Sequence, residues 1–250
     1  MPASAFLAAS AAVRVASLNL CTDEYLLLLA RPGEVVSVSY LSQDPLESPL
    51  WRKARAHKGN RGSIEDVVTL APTLVLTMGG GGRSTGLLAR RLSLRALDLP
   101  YAASMDDVAT NLRAVAAALG DFRRADPWVA RIDKLRRTSP RKTTDAIWVS
   151  GSGDSLAPGS LGAQWLRLAG LQQRSLPGAR VTVETLLTRP PKVLIRSNYR
   201  SGQMSGGVRW LAHPIVRQAG TRQQATDGRP WTCMGPLMVP EIERLRSLAR

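Results

Sequence analysis

Two distant stretches of this chain follow one plan. One runs Ser63, Ile64, Glu65, Asp66, Val67, Val68, Thr69, Leu70, Ala71, Pro72, Thr73, Leu74, Val75, Leu76; the other runs Thr182, Val183, Glu184, Thr185, Leu186, Leu187, Thr188, Arg189, Pro190, Pro191, Lys192, Val193, Leu194, Ile195. Each reads as a hydroxyl cap, a short helix with a glutamate in its first turn, a proline corner and a buried strand. A unit that occurs once in each half of a chain predicts two copies of one α/β lobe.

The flanking elements fit that plan. A strand over 14–18, a helix capped by Thr22 with Asp23 and Glu24 against its dipole, and a strand over 35–38 make a β-α-β unit. Residues 40–62 form a long polar loop with Trp51, His57 and a basic cluster, a length that is usually functional or mobile. A helix over 64–70, a strand over 74–77, a glycine loop over 79–82 with Arg83, a helix over 84–94 and a strand over 95–97 follow. Ser104 and Asp107 open a capped helix that ends at Gly120. Asp126 and Pro127 then sit in a helix over about 124–139, roughly 24 Å long at 1.5 Å per residue, enough to bridge two lobes. Beyond it come a strand over 146–149, a glycine- and serine-rich loop over 150–159 and a helix over 161–169 stopped by Gly170. The second copy of the repeated unit has its strand over 193–196. A polar loop over 197–207, a helix near 208–212 and a final helix from about Pro240 complete the chain. Alternating strands and helices argue for parallel sheets covered by helices. The boundaries expected are a first lobe over 14–122, an interlobe helix over 123–140 and a second lobe over 141–250.

Composition narrows the function classes. The chain has 250 residues, 44% hydrophobic and 21% charged, and a net charge of +15. Only Lys53, Lys58, Lys134, Lys142 and Lys192 contribute lysine; arginine supplies the rest. Apolar runs fall short of the roughly 18 to 20 residues of a membrane-crossing helix. Residues 1–13 are small and apolar and read as the remnant of a secretory signal without its basic start.

Several ordered segments resemble one family. The opening Arg14, Val15, Ala16, Ser17, Leu18, Asn19, Leu20, Cys21, Thr22, Asp23, Glu24, Tyr25, Leu26, Leu27, the two repeated units, and Trp231, Thr232, Cys233, Met234, Gly235, Pro236 before the last helix carry the likeness. Together they resemble the substrate-binding proteins of bacterial ABC importers for iron complexes and vitamin B12, whose two α/β lobes are joined by one rigid helix. The likeness covers nearly the whole chain from Arg14. It implies a periplasmic, monomeric protein that binds without turnover: no enzyme, no catalytic residue, no resident metal or cofactor. Its ligand is a ferric siderophore, haem or cobalamin in the interlobe cleft, and its partner is an ABC permease dimer with its ATPase subunits, the only link to the membrane. In that family a glutamate at the start of each short helix docks onto permease arginines; the matching residues are Glu65 and Glu184. The bland alternative is a glutamate gaining about 0.3 to 1 kcal/mol from the helix dipole alone.

The loops expected at the cleft offer Asn19, Tyr40, Trp51, Arg61 and Arg83 from the first lobe, and Ser152, Arg196, Asn198, Tyr199 and Trp231 from the second. Aromatic rings make flat apolar walls, and arginines present planar donors to carboxylates. Cys21 and Cys233 fall in loops expected to face the cleft, and stand either as a bridge tying the lobes or as two isolated thiols. His57 and His213 show no spacing suited to a metal.

The alternative is a nucleotide- or nucleic-acid-binding α/β protein with an anion site in the loop from Gly79 to Arg83. A phosphate loop needs a lysine after its last glycine, where Arg83 stands. The segment Gly151, Ser152, Gly153, Asp154 lacks the arrangement of a nucleophilic serine. The arginines are spread along nearly every element rather than gathered in a stripe with aromatics, so nucleic acid is not the expected partner.

Overall fold

The computed structural model describes residues 13–79, 83–200, 214 and 221–248. The residue 1–12 segment, the glycines at 80–82, the side chain of Arg83, the expected helix near 208–212 and His213 lie outside them.

The first sheet has five parallel strands in the order β3-β2-β1-β4-β5: β1 (Val15–Ser17), β2 (Val35–Ser39), β3 (Lys58–Asn60), β4 (Leu74–Met78) and β5 (Arg95–Leu99). The second has four parallel strands in the order β7-β6-β8-β9: β6 (Thr144–Val149), β7 (Leu171–Gln173), β8 (Val193–Ser197) and β9 (Arg222–Thr226). Helices α1 (Leu20–Leu29), α2 (Trp51–Ala54), α3 (Arg83–Arg91) and α4 (Met105–Ala118) belong to the first lobe. Helices α6 (Leu161–Leu168), α7 (Val183–Thr188), α8 (Pro230–Cys233) and α9 (Met238–Leu248) belong to the second, and α5 (Asp126–Arg137) joins the two. The protein is thus two α/β lobes of parallel strands connected by a helix.

Parallel strands covered on both faces must be apolar throughout, and Leu74, Val75, Leu76, Ile147, Leu194 and Ile195 are all buried. Their alternation splits the core. One large cluster runs from Val15, Leu26 and Leu76 through Leu112 and Ile132 to Trp165, Ile195 and Ile242, so it is continuous from lobe to lobe through α4, α5 and α9. Two smaller clusters close the outer faces. Ala16, Ile64, Val67 and Val75 form one in the first lobe; Ile147, Leu186 and Leu194 form the other in the second. The repeated unit therefore does the same work twice, laying its apolar turn on the outer face of a sheet.

Several boundaries differ from the sequence reading. The first repeat is a turn followed by a 3₁₀ segment at Val68–Leu70, not a helix over 64–70. Val67, Val68 and Thr69 are a β-branched run that lowers helix propensity, the Asp66 carboxylate turns back to accept from the Arg61 N–H at 2.8 Å, and Pro72 excludes the helical region for Ala71. Helix α1 starts at Leu20 because Asn19 is its cap, accepting from the Thr22 N–H at 2.9 Å. The connecting helix has three turns, about 18 Å at 1.5 Å per residue, with a 3₁₀ turn at Phe122–Ala125 before it, and so is shorter than expected. Strands β3, β7 and β9 were absent from the expected elements.

Candidate functional site

The carboxyl ends of the two sheets face one another, as the contacts between lobes show. Past β2, the loop over 44–50 reaches the second lobe: the buried Glu47 carboxylate accepts from the Tyr199 hydroxyl and pairs with Arg200, and Arg229 Nη1 donates to the Pro45 carbonyl at 2.8 Å. Past β5, the Ala103 carbonyl accepts from Gln164 Nε2 at 3.0 Å. Between these flanks a disulfide joins Cys21 in the first turn of α1 to Cys233 at the end of α8, across 212 residues of chain. Beside it Glu24 Oε1 accepts from the Leu237 N–H at 2.5 Å. The lobes enclose a cleft tied at both flanks and stapled at its base.

The second lobe gives the cleft an aromatic wall. A cavity of about 300 Å³ opens beyond β6 and β8, lined by Trp148, Ser150, Ser152, Tyr199, Trp231 and Thr232 among others. The Trp148 and Trp231 rings lie 5.3 Å apart and tilted by 37°, within the range of favourable aromatic pairs. Trp231 Nε1 donates to Thr226 Oγ1 at 2.9 Å, and the Thr226 hydroxyl donates to Glu241, so that ring is fixed in orientation. Gly228 lets the two loops approach: a Cβ there would lie 2.4 Å from Ser197 Oγ and Tyr199 N. Ser152 Oγ donates to Asp154 at 2.5 Å, and Asp154 pairs with Arg180 at 2.7 Å. Ser150, Ser152 and the loop are thereby held as hydroxyl donors and acceptors at the rim.

The first lobe contributes a basic, partly aromatic edge. Tyr40, Lys58 and Arg61 line one open cavity of about 640 Å³ with Gln43, Gly59 and Asn60, and Tyr40 is more than half exposed. The buried Asn60 holds this corner, donating to the Ser17 carbonyl and to Ser37 Oγ, each at 2.8 Å. Two carboxyls at the α1 start are buried rather than set against the dipole in solvent. Asp23 accepts from the Ser39 N–H at 3.0 Å and from Ser42 Oγ at 2.5 Å, and burial still pushes its pKa up to about 7. Burial pushes Glu24 up to about 8.

Of the expected ligand residues, Ser152, Tyr199 and Trp231 come together in the second lobe and Tyr40 with Arg61 in the first. Asn198 lines a separate cavity between the lobes. Asn19 is the α1 cap, its side-chain oxygen already engaged. Trp51 lies against its own neighbours, with the Arg52 and Arg55 guanidinium groups 4.3 and 4.7 Å from its ring centre. Arg196 shares a strand face with Leu194, the outer face of β8, and reaches Gln223 at 3.5 Å. Sequence reasoning missed Trp148 and Glu47. Trp148 was legible as the residue of β6 on the opposite face from Ile147 and Val149; nothing in the sequence signals Glu47. His57 is held below its ordinary pKa chiefly by burial. Among the described residues no three His, Cys, Asp or Glu side chains gather as a metal site.

Glu65 and Glu184 are both exposed and form no ion pair among the described residues. Glu184 lies in the first turn of α7, capped by Thr182, whose hydroxyl accepts from the Thr185 N–H at 3.1 Å.

No family model and no curated protein matches this sequence. Solved structures do match its fold. The periplasmic heme-binding protein HutB of Vibrio cholerae superposes with a TM-score of 0.71 at 18% identity, over 95% of this chain and 98% of that one. The periplasmic heme-binding protein BhuT, solved with two hemes, gives 0.69 at 17% identity over 94% and 96%. The vitamin B12-binding protein BtuF of Vibrio cholerae gives 0.63 at 20% identity over 94% and 95%. At these identities the likeness establishes a shared fold, that of two-lobed periplasmic binding proteins.

Proposed function

We propose that this protein is the substrate-binding component of an ABC import system, acting in the periplasm, where it captures a metal chelate between its lobes and delivers it unaltered to a membrane permease. The observation that carries the reading is the cleft itself: two facing parallel sheets in the fold of known periplasmic binding proteins, with the Trp148 and Trp231 pair as one wall. The tilted, largely buried indoles give the cavity an apolar floor suited to a broad conjugated ligand, and Tyr40, Lys58 and Arg61 of the first lobe offer donors to its acidic substituents. Haem combines a flat face with carboxylates and fits best; carboxylate-bearing ferric siderophores and cobalamin are the other members of the class. The net charge of +15 favours capture of an anion.

Delivery falls to Glu65 and Glu184. They sit at matching places of the two repeats, exposed and without an ion pair among the described residues, so each is available to an arginine of a permease. The test is a thermal-shift panel of hemin, cyanocobalamin and ferric siderophores. Binding of one member with micromolar or better affinity raises the melting temperature in proportion to RT ln(1 + [L]/Kd). A panel without any shift, alongside a salt-sensitive shift with DNA, overturns the reading.

A further inference from the structure

A second cavity, of about 440 Å³, lies between the lobes on the far side of the loops that form the aromatic wall. The chain alternates to make it: Ser197 and Tyr199 face the tryptophan cavity, whereas Asn198 and Arg200 face this one. Arg229 and Arg244 complete it from the second lobe, and Pro45 and Leu46 from the first.

We propose that this cavity is a binding site for a small oxyanion, a phosphate or a carboxylate group. Three guanidinium groups line it, each paired with a carboxylate; Glu47 and Glu241 lie outside the lining, whereas Asp227 lines the cavity beside Arg229 and is neutralised by it. Glu47 holds Arg200; Asp227 holds Arg229 at 2.6 Å; Glu241 holds Arg244 at 2.6 Å. A guanidinium has five N–H donors, and these pairs use only part of them. Arg244 engages Nε and Nη2, and Arg200 engages Nη2, so Arg244 Nη1 and Arg200 Nε and Nη1 make no hydrogen bond among the described residues. Preorganised planar donors on a cavity wall are the arrangement that binds oxyanions bidentately.

The site is separate from the chelate-facing wall, and its argument stands without that reading. It is nonetheless wired to it. Arg244 and Thr226 both bond the Glu241 carboxylate, and Thr226 accepts from Trp231, so an anion held by Arg244 bears on the orientation of the indole in the neighbouring cavity. It also bears on the lobe contact, since Arg200 and Arg229 are the residues that reach Glu47 and Pro45.

The experiment uses the full, oxidised chain melted in millimolar sodium phosphate against sodium chloride of matched ionic strength. At a tenfold excess over Kd, phosphate raises Tm by about 3 °C beyond chloride. Arg244→Gln and, independently, Arg200→Gln weaken phosphate binding about tenfold and lose the shift, while Lys142→Gln, remote from the cavity, keeps it. Titration calorimetry gives the same ranking should either arginine variant melt too low for comparison. Repeating the titration with hemin separates two sources of the oxyanion: competition assigns the cavity to a carboxylate arm of the chelate, additivity to a free anion. No shift beyond chloride, or an equal shift in both arginine variants and the parent, overturns the proposal.

Discussion

Replacing Glu24 by glutamine removes a titration from the base of the cleft. In the folded chain Glu24 is buried against the Leu237 N–H and its pKa stands at about 8, against an ordinary 4.5. Below pH 4.5 the group is protonated whether the chain is folded or not, and acidity has no effect through it. Between 4.5 and 8 the folded state keeps a proton that the unfolded state has released, so stability falls as pH rises, by about 1.4 kcal/mol per unit. Above 8 both states are ionised and the loss is complete. From pH 5 to pH 7 the parent therefore loses about 3 kcal/mol through this one group. Glutamine preserves the acceptor for Leu237 and cannot ionise. The gap in Tm between Glu24→Gln and the parent should widen by about 6 to 12 °C over that interval, at roughly 2 to 4 °C per kcal/mol for a chain of this size. Paired thermal melts at half-unit steps of pH measure it, and Asp23, present in both proteins, cancels. Parallel Tm curves for the two proteins would refute the buried, neutral carboxyl.

Other consequences follow from single contacts. Reducing the Cys21 and Cys233 bridge, or replacing both by serine, releases a loop of 212 residues and costs up to about 5 kcal/mol by chain entropy; melts with and without dithiothreitol show a drop of several degrees, at most about 10 to 20 °C, and no drop means that the bridge is not structural. Gly79→Ala strains a positive φ and costs about 1 kcal/mol in denaturant unfolding; the exposed Tyr101 ring swings aside, so adding Tyr101→Ala recovers little of it. Charge reversal at both Glu65 and Glu184 abolishes uptake in a reconstituted importer while leaving chelate affinity within twofold; a loss of affinity instead rejects their docking role.

The two-lobed plan was legible because the repeated unit carries its own punctuation. Thr182 caps the second copy where the sequence places it, as Ser104 does for α4 outside the repeat, and Pro72, Pro190 and Pro191 break each unit before an apolar strand. What escaped was polar. Strands β3 (Lys58, Gly59, Asn60) and β9 (Arg222, Gln223, Gln224, Ala225, Thr226) are edge strands whose backbone pairing needs no apolar alternation. Asn19 and Thr22 are both competent caps three residues apart, and only the fold selects Asn19. The burial of Asp23 and Glu24 depends on the second lobe and the loop after β2, which no local pattern encodes. The site divides in the same way. Tyr199 follows from its place after a predicted strand and Trp231 from the segment that carries the family resemblance, whereas Arg196 lies one step of strand alternation away from the cleft face and Glu47 acts only through residues far away in the chain.

The most direct test of the account is equilibrium titration of hemin into the parent and into Trp231→Phe and Trp148→Phe, followed by tryptophan emission, with mass spectrometry of the ligand recovered afterwards. The account predicts saturable quenching at one chelate per protein, weakened or diminished in both variants, and a ligand returned chemically unchanged. Quenching identical in all three proteins, or a recovered ligand of altered mass, would contradict it.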